Sequence, residues 1–315
     1  MSKVLVSGAN GFIGKALSRY LIDQSYEVRG LVRTLGKCKL GIDYVSLDLE
    51  RSDDLSAACC GVDCIVHLAG RAHVLNECDA NPLQSFREAN CEASLRLARQ
   101  AVASDTRRFI YISSIGVNGV ETSIKPFDEQ CKSNPHSDYA VSKSEAEIKL
   151  NRLLTNTKTE LVIIRPPLVY GVNAPGNFAR LIKLVASGVP LPLGRINNRR
   201  SIVSLDNLVS FIAQCVEHPA AAGQLFLLSD GQDVSTTEIV QALARGVNSK
   251  ALMLPVPDVL LKFSAKLLKK ENLYIQLYRS LQIDSSKARK LLGWQPNQKT
   301  IEVLEEVGRL YASQR

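Results

Sequence analysis

Lys3-Val4-Leu5-Val6-Ser7-Gly8-Ala9-Asn10-Gly11-Phe12-Ile13-Gly14 decides the reading of this chain. Its first four residues form a short apolar, β-branched run suited to a strand, and Lys15 to Ser25 continues with helical character. Three glycines stand between them. Gly8 permits a tight turn, Gly11 lets an anion approach the backbone, and Gly14 lets the helix pack close to the strand. The unpaired N–H groups at the start of that helix then face a phosphate, which predicts the pyrophosphate of a dinucleotide. A structural glycine turn is the plainer reading of the same spacing, but the strand before and the helix after it favour the phosphate cradle.

A chain of 315 residues with 45% hydrophobic content can bury one large α/β core, or a nucleotide domain with a smaller companion. A disordered or fibrous chain is excluded. The net charge of +8 would suit nucleic acid or a membrane surface. The basic residues are scattered, however, apart from pairs such as Arg107-Arg108, Arg199-Arg200 and Lys269-Lys270, so no nucleic-acid partner is expected. An anionic small substrate accounts for the excess as well. Eight cysteines without a CxxC pair or a leader-like segment read as reduced thiols of a cytoplasmic protein. Cys59, Cys60 and Cys64 cluster, yet a zinc site would need a second ligand pair, so they are read as small buried hydrophobes and no metal is expected. No stretch approaches the ~20 apolar residues of an integral membrane segment.

The first half alternates strand and helix, with strands predicted over 3–6, 27–32, 43–47, 63–67, 108–113 and 160–165 and helices over 12–24, 52–59, 81–104 and 138–156. That alternation predicts an α/β fold, a Rossmann-type doubly wound parallel sheet with ligands at the carboxyl ends of its strands. Past Arg165-Pro166-Pro167 the pattern changes, and helices are expected over 205–217, 235–247, 258–282 and 300–313 with a strand over 224–228. The expected organisation is a dinucleotide-binding domain over 1–170, to which 200–222 returns, and a smaller C-terminal substrate domain over 171–315. Asp258 to Lys270 is amphipathic and basic, which suits a membrane surface; an ordinary surface helix is the favoured reading.

Three further stretches converge on hydride transfer. Tyr139-Ala140-Val141-Ser142-Lys143 sets a phenol and an ammonium four residues apart, on one helical face. A lysine cation beside a phenol draws its pKa below the usual ~10 and makes it a usable acid or base. Alone, such a pair is equally two exposed helix residues. Ile110-Tyr111-Ile112-Ser113-Ser114 is a strand ending in hydroxyls, and Ser114 is placed to hold a reacting oxygen beside the tyrosine. Val66-His67-Leu68-Ala69-Gly70 is another strand ending in small residues, as needed where a cofactor crosses the sheet edge.

With these residues in place, the chain resembles the extended short-chain dehydrogenase/reductase family, in particular its nucleotide-sugar epimerases, dehydratases and reductases. The resemblance runs from residue 1 to about 312. It implies a Ser114-Tyr139-Lys143 catalytic triad and a cofactor site of Gly8, Asn10, Gly11, Phe12, Ile13, Gly14, Asp48, Leu49, Leu68, Ala69, Gly70, Tyr139, Lys143 and Pro166, with Asn90 structural. It also implies substrate contacts from Ser114, Asn177 and Arg199, with Arg199 clamping a diphosphate, and a structural Asp206. His73 is a candidate sugar contact, although packing is the commoner role of a lone histidine. Leu191-Pro192-Leu193-Gly194 fits an apolar wall for uracil or a plain turn. Two departures stand out. The second strand ends in Val32-Arg33 rather than an acid, so Arg33 is read as accepting a 2′-phosphate and the cofactor as NADP, with NAD as the other possibility. The family's common VYG after the serine is Val117-Asn118-Gly119 here.

The pattern is closest to enzymes of bacterial surface-polysaccharide synthesis that act at C4 of UDP-sugars. The leading expectation is an NADP(H)-dependent reductase of a UDP-4-keto-6-deoxy-N-acetylhexosamine. The alternative is a UDP-glucose or UDP-N-acetylglucosamine 4-epimerase with retained NAD, and a minor one is a catalytically silent NADP-sensing regulator. A dehydratase would want a carboxylate after the serine, where Ile115-Gly116 supplies none. Related enzymes pair through helices corresponding to 81–104 and 138–156, so a homodimer is expected.

Overall fold

Val4, Leu5 and Val6 are all fully buried, so the first strand is covered on both faces, as a central parallel strand must be. The structure is a computed structural model that describes residues 2–35, 41–72, 81–194 and 196–314. In chain order its elements are β1 (Lys3–Ser7), α1 (Phe12–Asp23), β2 (Glu27–Val32), β3 (Asp43–Ser46), α2 (Ser56–Cys59), β4 (Cys64–His67), α3 (Pro82–Arg87), a π-helical turn (Glu88–Glu92), α4 (Ala93–Ala103), β5 (Arg108–Ile112), α5 (Asp138–Leu154) and β6 (Glu160–Arg165). Beyond β6 come β7 (Leu168–Tyr170), α6 (Asn177–Ala186), β8 (Ile202–Ser204), α7 (Leu205–Glu217), β9 (Leu225–Leu227), α8 (Thr236–Gly246), α9 (Asp258–Leu267), α10 (Glu271–Tyr278), α11 (Ser286–Leu292) and α12 (Thr300–Ser313).

Seven parallel strands form the main sheet in the order β3-β2-β1-β4-β5-β6-β9, and β7 pairs with β8 in a separate two-stranded sheet. The order reverses between β1 and β4, and the crevice beyond their carboxyl ends is where such a sheet takes ligands. Alternation along the strands sorts the core into two layers. Val4, Val6, Ile110, Ile112, Val162 and Ile164 face α1, α7 and α11. Leu5, Ile65, Phe109, Tyr111, Leu161 and Ile163 face α2, α4 and α5. A third core joins Tyr170, α6, α8 and α12.

The sheet is laid out as the alternation predicts, and the differences are concentrated past Arg165. β7, α6, β8 and α11 have no counterpart in the sequence reading, because strands of three residues and helices of seven to ten carry too little periodicity. The helix expected over 81–104 is interrupted by the π-helical turn, and the helical region over 258–282 breaks at Lys269, whose φ is +53°. Cys59 and Cys64 lie buried in the core, whereas Cys60, read with them as a buried hydrophobe, is exposed at the end of α2; no group of metal-ligating side chains occurs among the described residues. No helix among them is long and apolar enough to cross a membrane.

The third core depends on a close helix crossing. A Cβ added at Gly308 in α12 would stand 2.7 Å from the Leu243 carbonyl oxygen and 2.8 Å from Gly246 Cα in α8. Both are backbone atoms of a packed helix, so the helices must part to admit a methyl group. Gly308→Ala should therefore cost about 1–3 kcal/mol, read as a lower thermal midpoint with the dinucleotide content unchanged. An unshifted midpoint would show that this crossing has slack.

Candidate active site

The turn after β1 is built as its glycines demand. Gly8 has φ +71°, and its N–H donates to the Leu31 carbonyl at 2.9 Å. A Cβ at Gly8 would meet Ala69 N at 3.0 Å, and one at Gly14 would stand 2.1 Å from the Gly8 carbonyl oxygen. Only glycine permits this approach of loop, helix and neighbouring strand. Gly11 caps α1 without a side-chain acceptor, and no acid stands in the first turn, so the N–H groups there are open to an anion.

Above this turn lies a cavity of about 670 Å³ lined by Gly8, Asn10, Gly11, Arg33, Asp48, Leu49, Leu68, Ala69 and Gly70, together with Leu31, Val32, Glu50, Arg71 and others. It thus gathers most of the residues assigned to the cofactor from sequence. The Phe12 and Ile13 side chains pack on the third core and on the sheet core respectively, so at the helix start they offer backbone rather than side chain. Pro166 is not one of the residues lining the cavity, and its carbonyl accepts from Ile115 N at 2.9 Å. The Cβ-free approach at Gly8 and the polar rim at Asp48 fit an adenine dinucleotide laid across the sheet edge. Arg33 is exposed, and its Nη1 stands 4.0 Å from a Glu50 oxygen. Glu50 is a carboxylate that the second strand's own sequence does not disclose, because it enters from the β3 side.

A buried polar chain supports this floor. Ser7 Oγ accepts from Leu68 N and Ala69 N at 3.1 Å each, and it pairs with His67 Nδ1 at 2.6 Å. His67 Nε2 lies 2.8 Å from Ser94 Oγ, which itself donates to the Asn90 carbonyl at 2.6 Å. Since the Ser94 proton is committed to Asn90, His67 donates from Nε2 and accepts at Nδ1. Burial, and secondarily the charge of Lys143, hold the imidazole down at about 3, so it stays neutral. In the π-helical turn, Asn90 Oδ1 accepts from Arg71 N at 2.7 Å, and its Nδ2 donates to the Arg71 carbonyl and to Ser142 Oγ at 3.1 and 3.0 Å. Asn90 therefore ties the loop after β4 to α5.

Ser137 starts α5 by accepting from Ala140 N at 3.2 Å, which sets Tyr139 in the first turn with Lys143 one turn on. Ser114 leaves β5 and caps the short turn after it, its Oγ accepting from Gly116 N at 3.1 Å. From sequence, Lys143 is expected to draw the Tyr139 pKa down. Instead burial pushes Tyr139 up to about 12, with the Ser114 hydroxyl acting in the opposite direction. Lys143 Nζ is turned to the Ile112 carbonyl at 2.9 Å and lies 4.6 Å from the centre of the Tyr111 ring. Burial draws Lys143 down to about 8, opposed by Glu147.

Glu147 belongs to a buried cluster that the sequence did not disclose. It accepts from Arg165 Nε at 2.9 Å and from Arg165 Nη2, and also from Ser113 Oγ, while Arg165 Nη1 donates to Asn118 Oδ1 at 2.8 Å. Asn118 therefore anchors the strand end where the family has a tyrosine. The available signal was the helical spacing of Lys143 and Glu147.

A second cavity of about 710 Å³ is lined by residues 121–123, 196–198 and 278–280 with Val256, Asp258 and Leu261. Asn177 begins α6 and donates to Gln276 at 2.6 Å. Arg199 is exposed, with its N–H held by Ser280 Oγ at 3.0 Å. Its neighbour Arg200 is turned inward, donates to the Arg279 carbonyl at 3.1 Å and is drawn down to about 10 by burial. Leu191 and Leu193 are buried in the third core, so the apolar wall expected from 191–194 is not formed by them; Ile196 and Asn197 line the cavity instead. Asp206 stands exposed in the first turn of α7, where it complements the helix dipole. His73 lies outside the described residues.

A parallel sheet with a glycine-lined phosphate turn at its carboxyl edge, and Tyr139 and Lys143 one turn apart on α5, define an NAD(P)-dependent enzyme of the Rossmann type. Residues 4–228 match the NAD dependent epimerase/dehydratase family, and the chain belongs to it. It is 40% identical over 311 residues to a UDP-glucose 4-epimerase of Vibrio cholerae, covering 98% of this chain and 95% of that protein. It is 26% identical over 276 residues to an N-acetyl-α-D-glucosaminyl-diphospho-ditrans,octacis-undecaprenol 4-epimerase of Escherichia coli O157:H7, covering 84% and 81%. Its fold is shared with the crystal structure of UDP-glucuronic acid 4-epimerase from Bacillus cereus in complex with NAD, at a TM-score of 0.80, 22% identity and 99% coverage of both chains.

The neutral His67 gives a pH signature. Its folded pKa of about 3 lies below the ordinary 6.5, so unfolding takes up a proton between those values. Stability present above pH 6.5 is lost as pH falls. The stability difference between wild type and His67→Gln should change by about 2 kcal/mol from pH 6.5 to 5, measured by urea unfolding. A pH-independent difference would mean that His67 is protonated in the fold.

Proposed function

We propose that this protein is a UDP-hexose 4-epimerase of the glucose or N-acetylglucosamine type that retains NAD. The observation carrying this reading is the near full-length relative named as a UDP-glucose 4-epimerase, taken with Tyr139 and Lys143 one turn apart at the start of α5. The reductase reading given first place by the sequence rested on Arg33 as a free 2′-phosphate receptor. Glu50 now stands beside that guanidinium, and a carboxylate there opposes a second phosphate and suits a ribose 2′-hydroxyl.

In this reading Ser114 and Tyr139 hold O4 of the sugar, and Tyr139 takes the O4 proton as C4 is oxidised. Bound NAD would supply the hydride acceptor and a positive charge in the site. Tyr139, whose proton burial holds on in the resting protein, would then give it up more readily. Lys143 binds the ribose and adds a second cation near the phenol. The 4-keto sugar would turn over between the two half-reactions and Tyr139 would return the proton to O4, with the dinucleotide retained and unchanged at the end of the cycle. The 710 Å³ cavity beside Asn197, Asn198 and Arg279 is proposed to seat the nucleotide diphosphate. We assign the diphosphate contact to Arg199 and a supporting role to Arg200, which braces the Arg279 carbonyl. A homodimer is proposed through the outer faces of α3, α4 and α5, where Ile148 is half exposed.

Given UDP-galactose and no added cofactor, the protein should form UDP-glucose to an equilibrium mixture without net change in nicotinamide absorbance. Tyr139→Phe should lower turnover by about 10²–10⁴-fold while retaining its dinucleotide. Stoichiometric consumption of NADPH with a UDP-4-keto-6-deoxy sugar, and no epimer from UDP-hexoses, would restore the reductase reading.

Arg199→Ala should raise the KM for a UDP-sugar by about ten- to hundredfold, because a charge-assisted diphosphate contact is lost, with bound dinucleotide unchanged. An unchanged KM would remove Arg199 from the site.

A further inference from the structure

The α9 helix buries none of its residues. Val259, Leu260, Phe263 and Leu267 are 77, 59, 69 and 74% exposed, although each is apolar. At about 100° per residue these four share one face of roughly 100° of arc. Lys262 and Lys266 border that face, and Lys269 and Lys270 stand at its end. The acids of the stretch lie at its ends: Asp258 accepts from the Tyr274 hydroxyl at 2.7 Å, and Glu271 stands in the first turn of α10. A second bare apolar residue lies nearby. Ile124 is 92% exposed and directly follows residues 121–123, which line the same cavity as Asp258 and Leu261. Bare apolar side chains therefore stand at two margins of that cavity.

We infer that α9 lies flat on an anionic lipid bilayer, with its apolar face at the headgroup boundary, its lysines among anionic headgroups and Ile124 as a second foothold. Charge complementarity selects this occupant. An apolar face rimmed by lysines is matched by a surface that offers hydrocarbon and negative charge together. A second copy of α9 offers neither match: pairing would oppose lysine to lysine, and four side chains supply little of the ~800 Å² per partner of a stable interface. The inference does not depend on which sugar the enzyme uses.

The test is co-sedimentation of the full-length protein with vesicles of phosphatidylcholine alone or with about 30 mol% phosphatidylglycerol. The bound fraction should be several-fold greater on the anionic vesicles and should fall with added salt. Phe263→Glu/Leu267→Glu should abolish binding, and Lys262→Glu/Lys266→Glu should remove the preference for anionic lipid. Both variants should keep the wild-type circular dichroism and vesicle-free turnover. Equal sedimentation with and without anionic vesicles would overturn the proposal. So would a wild-type dimer in sedimentation velocity that Phe263→Glu/Leu267→Glu converts to monomer without any vesicle binding, which would assign the face to a second copy.

Discussion

The requirement that buried polar groups be paired shapes this site more than any single contact. Ser7, His67, Ser94, Asn90 and Ser142 are nearly or wholly inaccessible, yet each finds a partner in one continuous chain running from the glycine turn to α5. Leaving any one unpaired in that interior would cost about 1–3 kcal/mol, so the arrangement is strongly determined. Its consequence is positional. The loop after β4, on which the cofactor cavity rests, and the helix carrying Tyr139 and Lys143 are held by the same asparagine.

The π-helical turn at Glu88–Glu92 belongs to that constraint. An uninterrupted α-helix would send each N–H to the fourth carbonyl back, whereas a π-turn inserts a residue and re-aims those around it. Here it brings Asn90 against Arg71 and Ser142 while the Asn90 carbonyl accepts from Ser94 and from Tyr111 at 3.3 Å. The second buried cluster, Glu147 with Arg165, Ser113 and Asn118, fixes the strand end bearing Ser114 from the other side. The strand end bearing Ser114 and the helix bearing Tyr139 are thus each held by a buried polar support.

Electrostatics obey the same burial. Low polarity around Tyr139 and Lys143 moves both toward their neutral forms, the phenol up and the ammonium down. Helical spacing alone would assign the phenol's acidity to the lysine. In the folded protein the lysine is engaged with the Ile112 carbonyl and the Tyr111 ring.

The sequence alone determined the parallel sheet, the glycine turn after β1 and the placing of Tyr139 and Lys143 one turn apart on a helix. These are written in local terms: apolar runs of period two, glycines at fixed offsets, and side chains one helical turn apart. It did not show β7, β8 or the break in the helix over 81–104, because short strands and a π-turn leave little periodic trace. It also could not show that Glu50 approaches Arg33, that Arg200 turns inward beside an exposed Arg199, that Glu147 pairs with Arg165, or that the apolar face of α9 is left uncovered. Each of these depends on which distant segments meet. That is decided by the packing of the whole chain, since burial and pairing are properties of an environment rather than of a residue.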